Sequence, residues 1–285
     1  MTQRYRTVTI IGVGLLGGSL ALALKARNLT DTVRGVGRNP ETLEKATARG
    51  IIDASYLEPV EACRGADLVV ICTPAGSVPS ILDAIRPACS GTALVTDVAS
   101  TKAVICGHAG RTWPTPLRFV GSHPMAGSEK FGPEHASPAL YEGCTTIVDT
   151  NPDAQEARAA ITALWETVGA KVVSIEPEVH DALVARTSHI PHIAAGCIAR
   201  LAAAGGEITP FVGTGFRDVT RVAAGRPELW RDICLTNHDA IAQGLERLEQ
   251  DLAEVRRMVA EGRADELDTF FEQARDARRK ALGES

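Results

Sequence analysis

The sequence predicts an α/β fold, a doubly wound parallel sheet, followed by an all-α C-terminal domain. Up to residue 175, short runs rich in β-branched residues alternate with helical segments, as in a sheet covered by helices on both faces. A glycine-rich turn joins the first strand to the first helix, and beyond Pro177 only helical periodicity is found. We therefore expect two domains, at residues 1–176 and 177–285.

The turn after the first strand holds the most specific local motif. Residues 7–11 are apolar and β-branched, and three glycines with G-x-G-x-x-G spacing lead from them into a helix. The first glycine permits a tight turn, the second lets a pyrophosphate approach the backbone, and the third allows close packing of helix on strand. The helix N-terminus offers N–H groups to the phosphates. The motif predicts dinucleotide contacts at Gly12, Gly14, Leu15, Leu16 and Gly17.

The second strand, residues 32–36, ends where the adenosine ribose of a dinucleotide is expected. An acid at this point binds the 2′-hydroxyl of NAD, whereas an arginine accommodates the 2′-phosphate of NADP. Gly37 occupies the acid position, Arg38 and Asn39 follow, and the next carboxylate along the chain is that of Glu41. These residues favour NADP, although NAD use is also compatible with them. In the plainer alternative, Arg38 is only a solvated loop residue.

Two further strands, residues 67–72 and 92–96, alternate with helices at residues 41–50 and 77–85. Ligands of such sheets bind beyond the carboxyl ends of the strands. Polar residues follow both strands at that edge, and Lys102 lies nearby. The predicted cofactor contacts there are Thr73, Pro74, Asp97 and Ser100.

The next strand end opens into a polar loop that carries His123. A nicotinamide enzyme needs a group that takes a hydroxyl proton as hydride leaves, and a loop histidine with an ordinary pKa near 6.5 suits this task. The alternative is a hydrogen-bonded histidine with a structural role. Two more strands are expected at residues 144–149 and 171–175, with a helix between them at residues 153–168.

The C-terminal part is expected to contain helices at residues 178–204, 216–223, 227–237, 238–261 and 264–282. In the helix at residues 238–261, apolar residues recur alternately every four and three positions, as in a heptad seam. The seam is either a packing face within the domain or a homodimer contact. Its residues are Ile241, Leu245, Leu248, Leu252, Val255 and Val259.

Two pairs of side chains in the helical part could contact a substrate. His189 and His192 share a helix face, and Pro191 between them should kink the helix. No carboxylate or third histidine stands at metal-ligand spacing, so we expect no metal, with one histidine lining a cleft and the other packing. Arg217 and Arg221 lie four residues apart after a glycine-rich turn. Such a fork suits a substrate carboxylate or, alternatively, a surface ion pair.

Composition excludes several classes of protein. The 285 residues are 45% hydrophobic and 23% charged, as in a soluble globular protein. The net charge of −5 argues against nucleic acid or an anionic membrane as the main partner. No apolar run approaches a membrane span, and no signal-peptide pattern is present. The seven cysteines lack C-x-x-C spacing, which indicates a reduced, cytoplasmic protein without a disulfide or zinc framework.

Several motifs occur together along the whole chain. They are Gly12-x-Gly14-x-x-Gly17-Gly-Ser-Leu20, Asp97-x-x-Ser100-x-Lys102, Gly121-Ser-His-Pro-Met-Ala-Gly-Ser-Glu-Lys130, Leu140-Tyr-Glu-Gly143, Ser188-His-Ile-Pro-His192, Gly215-Phe-Arg-Asp-Val-Thr-Arg221 and Leu229-Trp-Arg-Asp-Ile233. In order and spacing the set resembles the prephenate and arogenate dehydrogenases of tyrosine biosynthesis. The histidine-containing motifs are the most specific part of this resemblance.

The resemblance implies an N-terminal Rossmann domain and a C-terminal helical domain that forms a homodimer. The implied reaction is an oxidative decarboxylation, in which a cyclohexadienol loses hydride to the nicotinamide and carbon dioxide from the opposite ring carbon. His123 would deprotonate the ring hydroxyl, and Ser100 would orient either that hydroxyl or the histidine. Arg221 would hold a carboxylate beside the same nicotinamide ring. Trp230 would reach the partner subunit's site. The substrate-binding residues expected are Ser128, Glu129, Lys130, His189, His192, Thr214, Arg217, Arg221 and Trp230.

Two other functions stay open at this point. One is a related Rossmann-plus-helical dehydrogenase acting on β-hydroxy acids or pyrroline carboxylates, which would rely on a lysine or other polar groups of the helical domain. The other is a non-catalytic NADP-binding sensor, which needs neither His123 nor Arg221. Prephenate and arogenate are both compatible with the sequence, since Glu129 or Asp218 could pair with the ammonium group of arogenate.

Overall fold

The computed structural model describes residues 3–89, 91–127, 130–204 and 206–284. Within these ranges, six strands form one parallel sheet in the order β3-β2-β1-β4-β5-β6. The strand order reverses between β1 and β4, the point at which doubly wound sheets bind dinucleotides. The predicted fold class is therefore confirmed. The strands are β1 (Tyr5–Ile11), β2 (Thr30–Val36), β3 (Ala54–Tyr56), β4 (Leu68–Ile71), β5 (Leu94–Asp97) and β6 (Phe119–Val120).

The centre of this sheet is the hydrophobic core, because helices cover both of its faces. All four residues of β4 are buried, as expected for a continuous apolar run in a parallel sheet. The sequence analysis did not single out β3 and the short helix α3 after it. The helices of this part are α1 (Leu15–Ala26), α2 (Pro40–Ala48), α3 (Pro59–Cys63), α4 (Val78–Ile85), α5 (Ala103–Thr112) and α6 (Gln155–Thr167).

A second, three-stranded sheet continues from the last strand of the first. Its order is β7 (Ser122–Pro124), β8 (Thr145–Val148) and β9 (Lys171–Ser174), with β7 antiparallel to β8 and β8 parallel to β9. Only Gly121 separates β6 from β7. A Cβ at Gly121 would lie 2.5 Å from Sγ of Cys106, so the chain passes too close to α5 for a side chain. This position for β7 places His123 in a strand rather than in the expected loop.

The helix predicted at residues 178–204 is divided in the structure. Helix α7 (Pro177–Val184) is followed by a π-helical turn at Ala185–His189 and then by α8 (Ile190–Ala203). The backbone N–H of Ile190 bonds to the carbonyl of Ala185, five residues earlier. Pro191 has no N–H to donate, and the wider turn lies directly before it. The kink expected at Pro191 stays a prediction.

The remaining helices are α9 (Thr214–Thr220), α10 (Pro227–Thr236), α11 (His238–Glu261) and α12 (Ala264–Leu282). The chain forms two compact units, one up to His238 and the other from Asp239 onward. The division at residues 176 and 177 remains a prediction. No helix in the described part of the chain combines the length and hydrophobicity that a membrane span requires.

Candidate active site

The glycine turn after β1 has the geometry that dinucleotide binding needs. Gly12 has a φ of +101°, and a Cβ there would lie 2.6 Å from the carbonyl oxygen of Cys72. A Cβ at Gly17 would lie 2.3 Å from the carbonyl oxygen of Gly12, so α1 packs directly on the turn. At Gly14, by contrast, a Cβ would have no described neighbour within 4 Å. The turn is thus tight against the protein and open on the side where a pyrophosphate would lie.

Residues between β7 and β8 support the beginning of α1. Leu15 and Leu16 are half-buried at the start of the helix. The hydroxyl of Tyr141 donates to the carbonyl oxygen of Leu16 at 2.7 Å, and the N–H of Ser137 donates to Oγ of Ser19 at 3.0 Å. These bonds tie the segment before β8 to the helix that opens the predicted nucleotide site.

At the end of β2, no carboxylate occupies the expected ribose position. A Cβ at Gly37 would lie 3.2 Å from a methyl carbon of Leu43, and Arg38 is exposed beside it. Oδ1 of Asn39 accepts a hydrogen bond from the N–H of Glu41 at 2.9 Å. Asn39 therefore caps α2, which commits its oxygen to the helix, while the Arg38 guanidinium remains exposed.

The carboxyl end of β4 lies next to α10. Pro74 is exposed, and the half-buried Thr73 accepts a hydrogen bond from the Ser77 hydroxyl at 2.9 Å. A Cβ at Gly76 would lie 3.2 Å from Oδ2 of Asp232. Helix α10 therefore crosses the sheet edge close to the predicted nucleotide site.

Asp97 lies beneath this edge rather than on it. Its side chain is 0% exposed, accepts hydrogen bonds from the N–H groups of Ala99 (3.0 Å) and Ser122 (3.1 Å), and forms an ion pair with the buried Lys102. Burial raises the pKa of Asp97, against the lowering effect of Lys102. The expected direct contact of this carboxylate with a cofactor is replaced by internal bonds, which hold together the loops after β5 and β6.

A cavity of about 300 Å³ opens beyond this edge. It brings together four predicted site residues, Ser100, His123, His189 and Trp230, from four separate segments of the chain. Apolar side chains from the loop after β7 and from α10 form much of the remaining wall. The other lining residues are Pro124, Met125, Ala126, Gly127, Ser188, Leu229 and Ile233.

His123 differs from the expectation in both position and pKa. It lies in β7, and its Nδ1 is 2.9 Å from Nε2 of His180. Burial, followed by the neighbouring imidazoles and Lys102, holds the pKa of His123 well below its usual value. The expected pKa near 6.5 is therefore wrong, because the protein packed around this half-buried side chain disfavours the charged form of the imidazole. His123 is neutral at neutral pH and can accept a proton.

His189, His192 and Trp230 form a cluster of three rings. The Trp230 ring stacks on that of His192, with centroids 3.3 Å apart, and meets His189 edge-on at 6.2 Å. The two histidines thus share a face, as predicted. His189 is 1% exposed, and burial lowers its pKa to about 4. His192 packs outside the cavity lining, whereas Trp230 lines the cavity of its own chain. The expected reach of Trp230 into a partner subunit's site stays a prediction.

The other predicted substrate residues do not line this cavity. Thr214 and Arg217 on α9 and Arg221 just after it are exposed, as is Lys130. The expected convergence of the His123 imidazole and the Arg221 guanidinium on one cavity is not found among the described residues. Ser128 and Glu129 lie outside the described residues.

Sequence reasoning missed two groups of residues. Leu229 and Ile233 lie four apart on α10, and this helical spacing could have marked them as one apolar face with Trp230. His180, Asp181 and Asn237 lie behind the cavity and are buried. No spacing in the sequence relates Asn237 to the other two, since the fold alone brings them together.

Comparison with known proteins agrees with this arrangement. The family model described as "Prephenate dehydrogenase, nucleotide-binding domain" matches residues 20–174, and "Prephenate dehydrogenase, dimerization domain" matches residues 176–273. Prephenate dehydrogenase of Bacillus subtilis is 32% identical over 284 residues, which are 98% of this chain and 76% of the relative.

Two solved structures extend the similarity to the whole fold. Prephenate dehydrogenase from A. aeolicus, in complex with hydroxyphenyl propionate and NAD+, has a TM-score of 0.91 at 29% identity, covering 99% of this chain and 100% of that one. Synechocystis arogenate dehydrogenase has a TM-score of 0.81 at 29% identity, covering 96% and 99%. With its glycine turn, its histidine cavity and matches over both parts of the chain, this protein belongs to the prephenate dehydrogenase family.

Proposed function

We propose that this chain catalyses the NAD(P)-dependent oxidative decarboxylation of prephenate, arogenate or both, giving 4-hydroxyphenylpyruvate or tyrosine. The observation that carries this proposal is the cavity in which His123 and Ser100 lie in a largely apolar wall. A cyclohexadienol, with an apolar ring and one ring hydroxyl, suits a wall with one proton acceptor. Relatives bearing the names prephenate dehydrogenase and arogenate dehydrogenase support both substrates.

The residues of the glycine turn fit a dinucleotide, because a side chain would clash at Gly12 and Gly17 whereas Gly14 is open. When bound, the nicotinamide supplies the acceptor for the hydride that leaves the carbinol carbon. Backbone N–H groups of the turn and of the first turn of α1 would hold the pyrophosphate. Thr73, Pro74 and Ser100 lie along the carboxyl edge toward the cavity.

His123 acts as the general base in this proposal. It takes the proton of the ring hydroxyl as the carbinol carbon is oxidised, and Ser100 orients that hydroxyl. The ring carboxylate then leaves as carbon dioxide, and the electron pair of the broken C–C bond enters the ring, which becomes aromatic. The proton returns from His123 to the phenolic oxygen, so no net proton is gained or lost at the site.

The substrate carboxylates need positive partners from outside the cavity lining described above. Within that lining, His123 and His189 are the only ionisable side chains, and the pKa shifts leave both neutral at neutral pH. Arg221 and Arg217 remain our predicted partners for a carboxylate, with Lys130, Ser128 and Glu129 at the entrance. Thr214 and His192 are assigned to the side-chain end of the substrate.

NADP is the cofactor that we favour over NAD. Support comes from the exposed guanidinium of Arg38 beside Gly37, where NAD-selective sites carry an acid. The A. aeolicus relative was solved with NAD+, so family membership alone does not decide the cofactor of this chain.

We also infer that residues 1–176 form the nucleotide-binding domain and residues 177–285 a helical domain that forms a homodimer. Support comes from the dimerization-domain match and from the apolar seam of α11, where Leu252 and Val259 are 59% and 64% exposed. Phe271 on α12 is 61% exposed as well. Sedimentation showing a concentration-independent monomer would contradict the homodimer.

The experiment that tests the function is turnover of the purified protein with four combinations, prephenate or arogenate with NADP or NAD. We expect reduced cofactor and carbon dioxide in equal amounts with at least one combination. Reduced cofactor with a β-hydroxy acid or a pyrroline carboxylate instead would indicate a related dehydrogenase. Tight NADP binding without turnover of any of these substrates would indicate a sensor.

A further inference from the structure

One buried group of residues lies behind both histidines of the cavity. His180 is 0% exposed, Asp181 is 4% exposed and Asn237 is 5% exposed. Nε2 of His180 faces Nδ1 of His123 at 2.9 Å, and Nδ1 of His180 faces Oδ1 of Asp181 at 2.7 Å. The Asn237 amide nitrogen lies 2.8 Å from the carbonyl oxygen of Asp181 and 3.2 Å from Nδ1 of His189. Each cavity histidine is therefore bonded through Nδ1 to this group, which leaves its Nε2 for the cavity.

The chain of bonds behind His123 fixes where its proton lies. The Asp181 carboxylate accepts from the backbone N–H groups of Lys102 (2.8 Å) and Ala103 (2.9 Å), so it faces His180 as an acceptor. With one ring proton on His180, that proton lies on Nδ1 facing Asp181, and Nε2 carries a lone pair. The Nδ1–H of His123 donates to that lone pair, and Nε2 of His123 is left as a proton acceptor.

The bond behind His189 has the opposite sense. The Asn237 side chain donates from its NH₂ group to the carbonyl of Asp181, which can only accept, and this fixes the orientation of the amide. The same NH₂ group therefore donates to Nδ1 of His189. A neutral His189 then carries its proton on Nε2 and presents a hydrogen-bond donor.

We propose that His180 and Asn237 are positioning residues that hold His123 and His189 in opposite tautomers. His123 presents a proton acceptor to the cavity, and His189 presents a proton donor. If the chain has the function proposed above, on which this inference rests, the two tautomers give each imidazole one task. His123 takes the hydroxyl proton, and His189 donates a hydrogen bond to an acceptor on the substrate.

The same chain can stabilise the charge that forms during the reaction. When Nε2 of His123 takes the hydroxyl proton, its ring becomes an imidazolium whose Nδ1–H still donates to His180. The Nδ1–H of His180 still donates to Asp181, so the new positive charge faces a carboxylate through one intervening ring. No proton leaves His180 or Asp181 in this scheme. Their contribution is orientation and charge stabilisation, as in a Ser-His-Asp triad.

The direct test is the imidazole nitrogen NMR spectrum of the full-length protein labelled with ¹⁵N-histidine, recorded near neutral pH. Substitution of each histidine in turn assigns the signals. We expect protonated Nδ1 and unprotonated Nε2 for His123 and His180, and the reverse for His189. A His123 signal with the proton on Nε2 would overturn the assignment. In Asn237→Asp, which replaces the NH₂ donor by an acceptor, the His189 proton should move to Nδ1; an unmoved proton would overturn the role of Asn237.

Kinetics test whether His180 acts through His123. His180→Leu removes the acceptor and should lower kcat by roughly 10- to 100-fold with little change in KM, the range typical of residues that orient a functional ligand. His180→Gln, which restores an acceptor oxygen, should recover part of this loss. The double variant His123→Asn/His180→Leu should be no slower than His123→Asn alone.

His108→Gln is the matched control, because His108 also pairs with an aspartate, Asp83 at 2.9 Å, but does not line the cavity. Equal losses in His180→Leu and His180→Gln, or additive losses in the double variant, would overturn the positioning role. The NMR readout needs no turnover. An inactive protein with the expected tautomers would contradict the proposed function and still support this network. An active protein with the opposite tautomer at His123 would support the proposed function and overturn the network.

Discussion

The nucleotide-binding turn and the histidine cavity occupy the same edge of one sheet, yet they depend on different physics. The turn is local: six consecutive residues, Gly12 to Gly17, contain all the glycines that its geometry requires. The cavity combines side chains from β7, the loop after β5, the π-helical turn and α10. Local backbone sterics therefore determine the first site, and tertiary packing determines the second.

The largest effect that this comparison predicts is the loss of turnover when His123 in the cavity is replaced. In His123→Asn, kcat should fall by roughly a hundred-fold or more, because a positioned acid–base group is lost. The affinity for the cofactor should be unchanged, since the turn does not depend on His123. Steady-state kinetics with a fluorescence titration of the cofactor would measure both. A wild-type kcat in this variant would remove His123 from the mechanism.

Two Gly→Ala substitutions test the nucleotide-binding turn. Gly12→Ala combines a φ of +101° with a contact of 2.6 Å to the Cys72 carbonyl, so it should destabilise the fold by roughly 1–3 kcal/mol. Gly14→Ala meets no described atom within 4 Å and should keep the wild-type stability. Its Cβ would instead occupy the pyrophosphate side and weaken cofactor binding about ten-fold, or about 1.4 kcal/mol. Thermal unfolding and cofactor titration separate the two effects, and equal destabilisation by both would contradict the assigned roles.

The difference between the two regions also explains how far the sequence could predict this protein. The parallel sheet and the glycine turn could be predicted from strand composition and from the spacing of the glycines, because both patterns lie in neighbouring residues of the chain. The position of His123 in β7 and the lowered pKa of its imidazole could not be predicted, since both depend on β8 and on His180, which lies 57 positions away. Asp97 lies close to the predicted location. Its carboxylate, however, is buried beside Lys102 and binds groups inside the protein, which the sequence could not show.

A smaller effect is expected from a substitution that tests the preference for NADP over NAD. If Arg38 binds the 2′-phosphate of NADP, Arg38→Ala should lower kcat/KM for NADP about ten-fold, the loss expected for one charge-assisted hydrogen bond. The value for NAD should hardly change, because NAD lacks that phosphate. Arg86→Ala, which alters an arginine outside the nucleotide turn, is the control. Equal losses with both cofactors would contradict a specific contact.

The smallest predicted effect concerns stability and returns to the cavity. Burial lowers the pKa of His189 to about 4, whereas in the unfolded chain an ordinary value near 6.5 applies. Between these values the unfolded chain binds a proton that the folded protein excludes, so the contribution is fully present above pH 6.5 and is lost as the pH falls toward 4. Urea unfolding at pH 7 and pH 5 measures how much free energy of unfolding each protein loses on acidification. We expect the loss to be smaller in His189→Gln than in the wild type, by about 1 kcal/mol once solvent screening is allowed for. The half-buried His123 contributes with the same sign and stays in both proteins. Because His189 is one of the groups that lower the pKa of His123, the difference reports His189 together with its effect on His123. The exposed His135, changed to Gln, serves as the matched control, and an equal loss in His189→Gln and the wild type would contradict a buried, neutral His189.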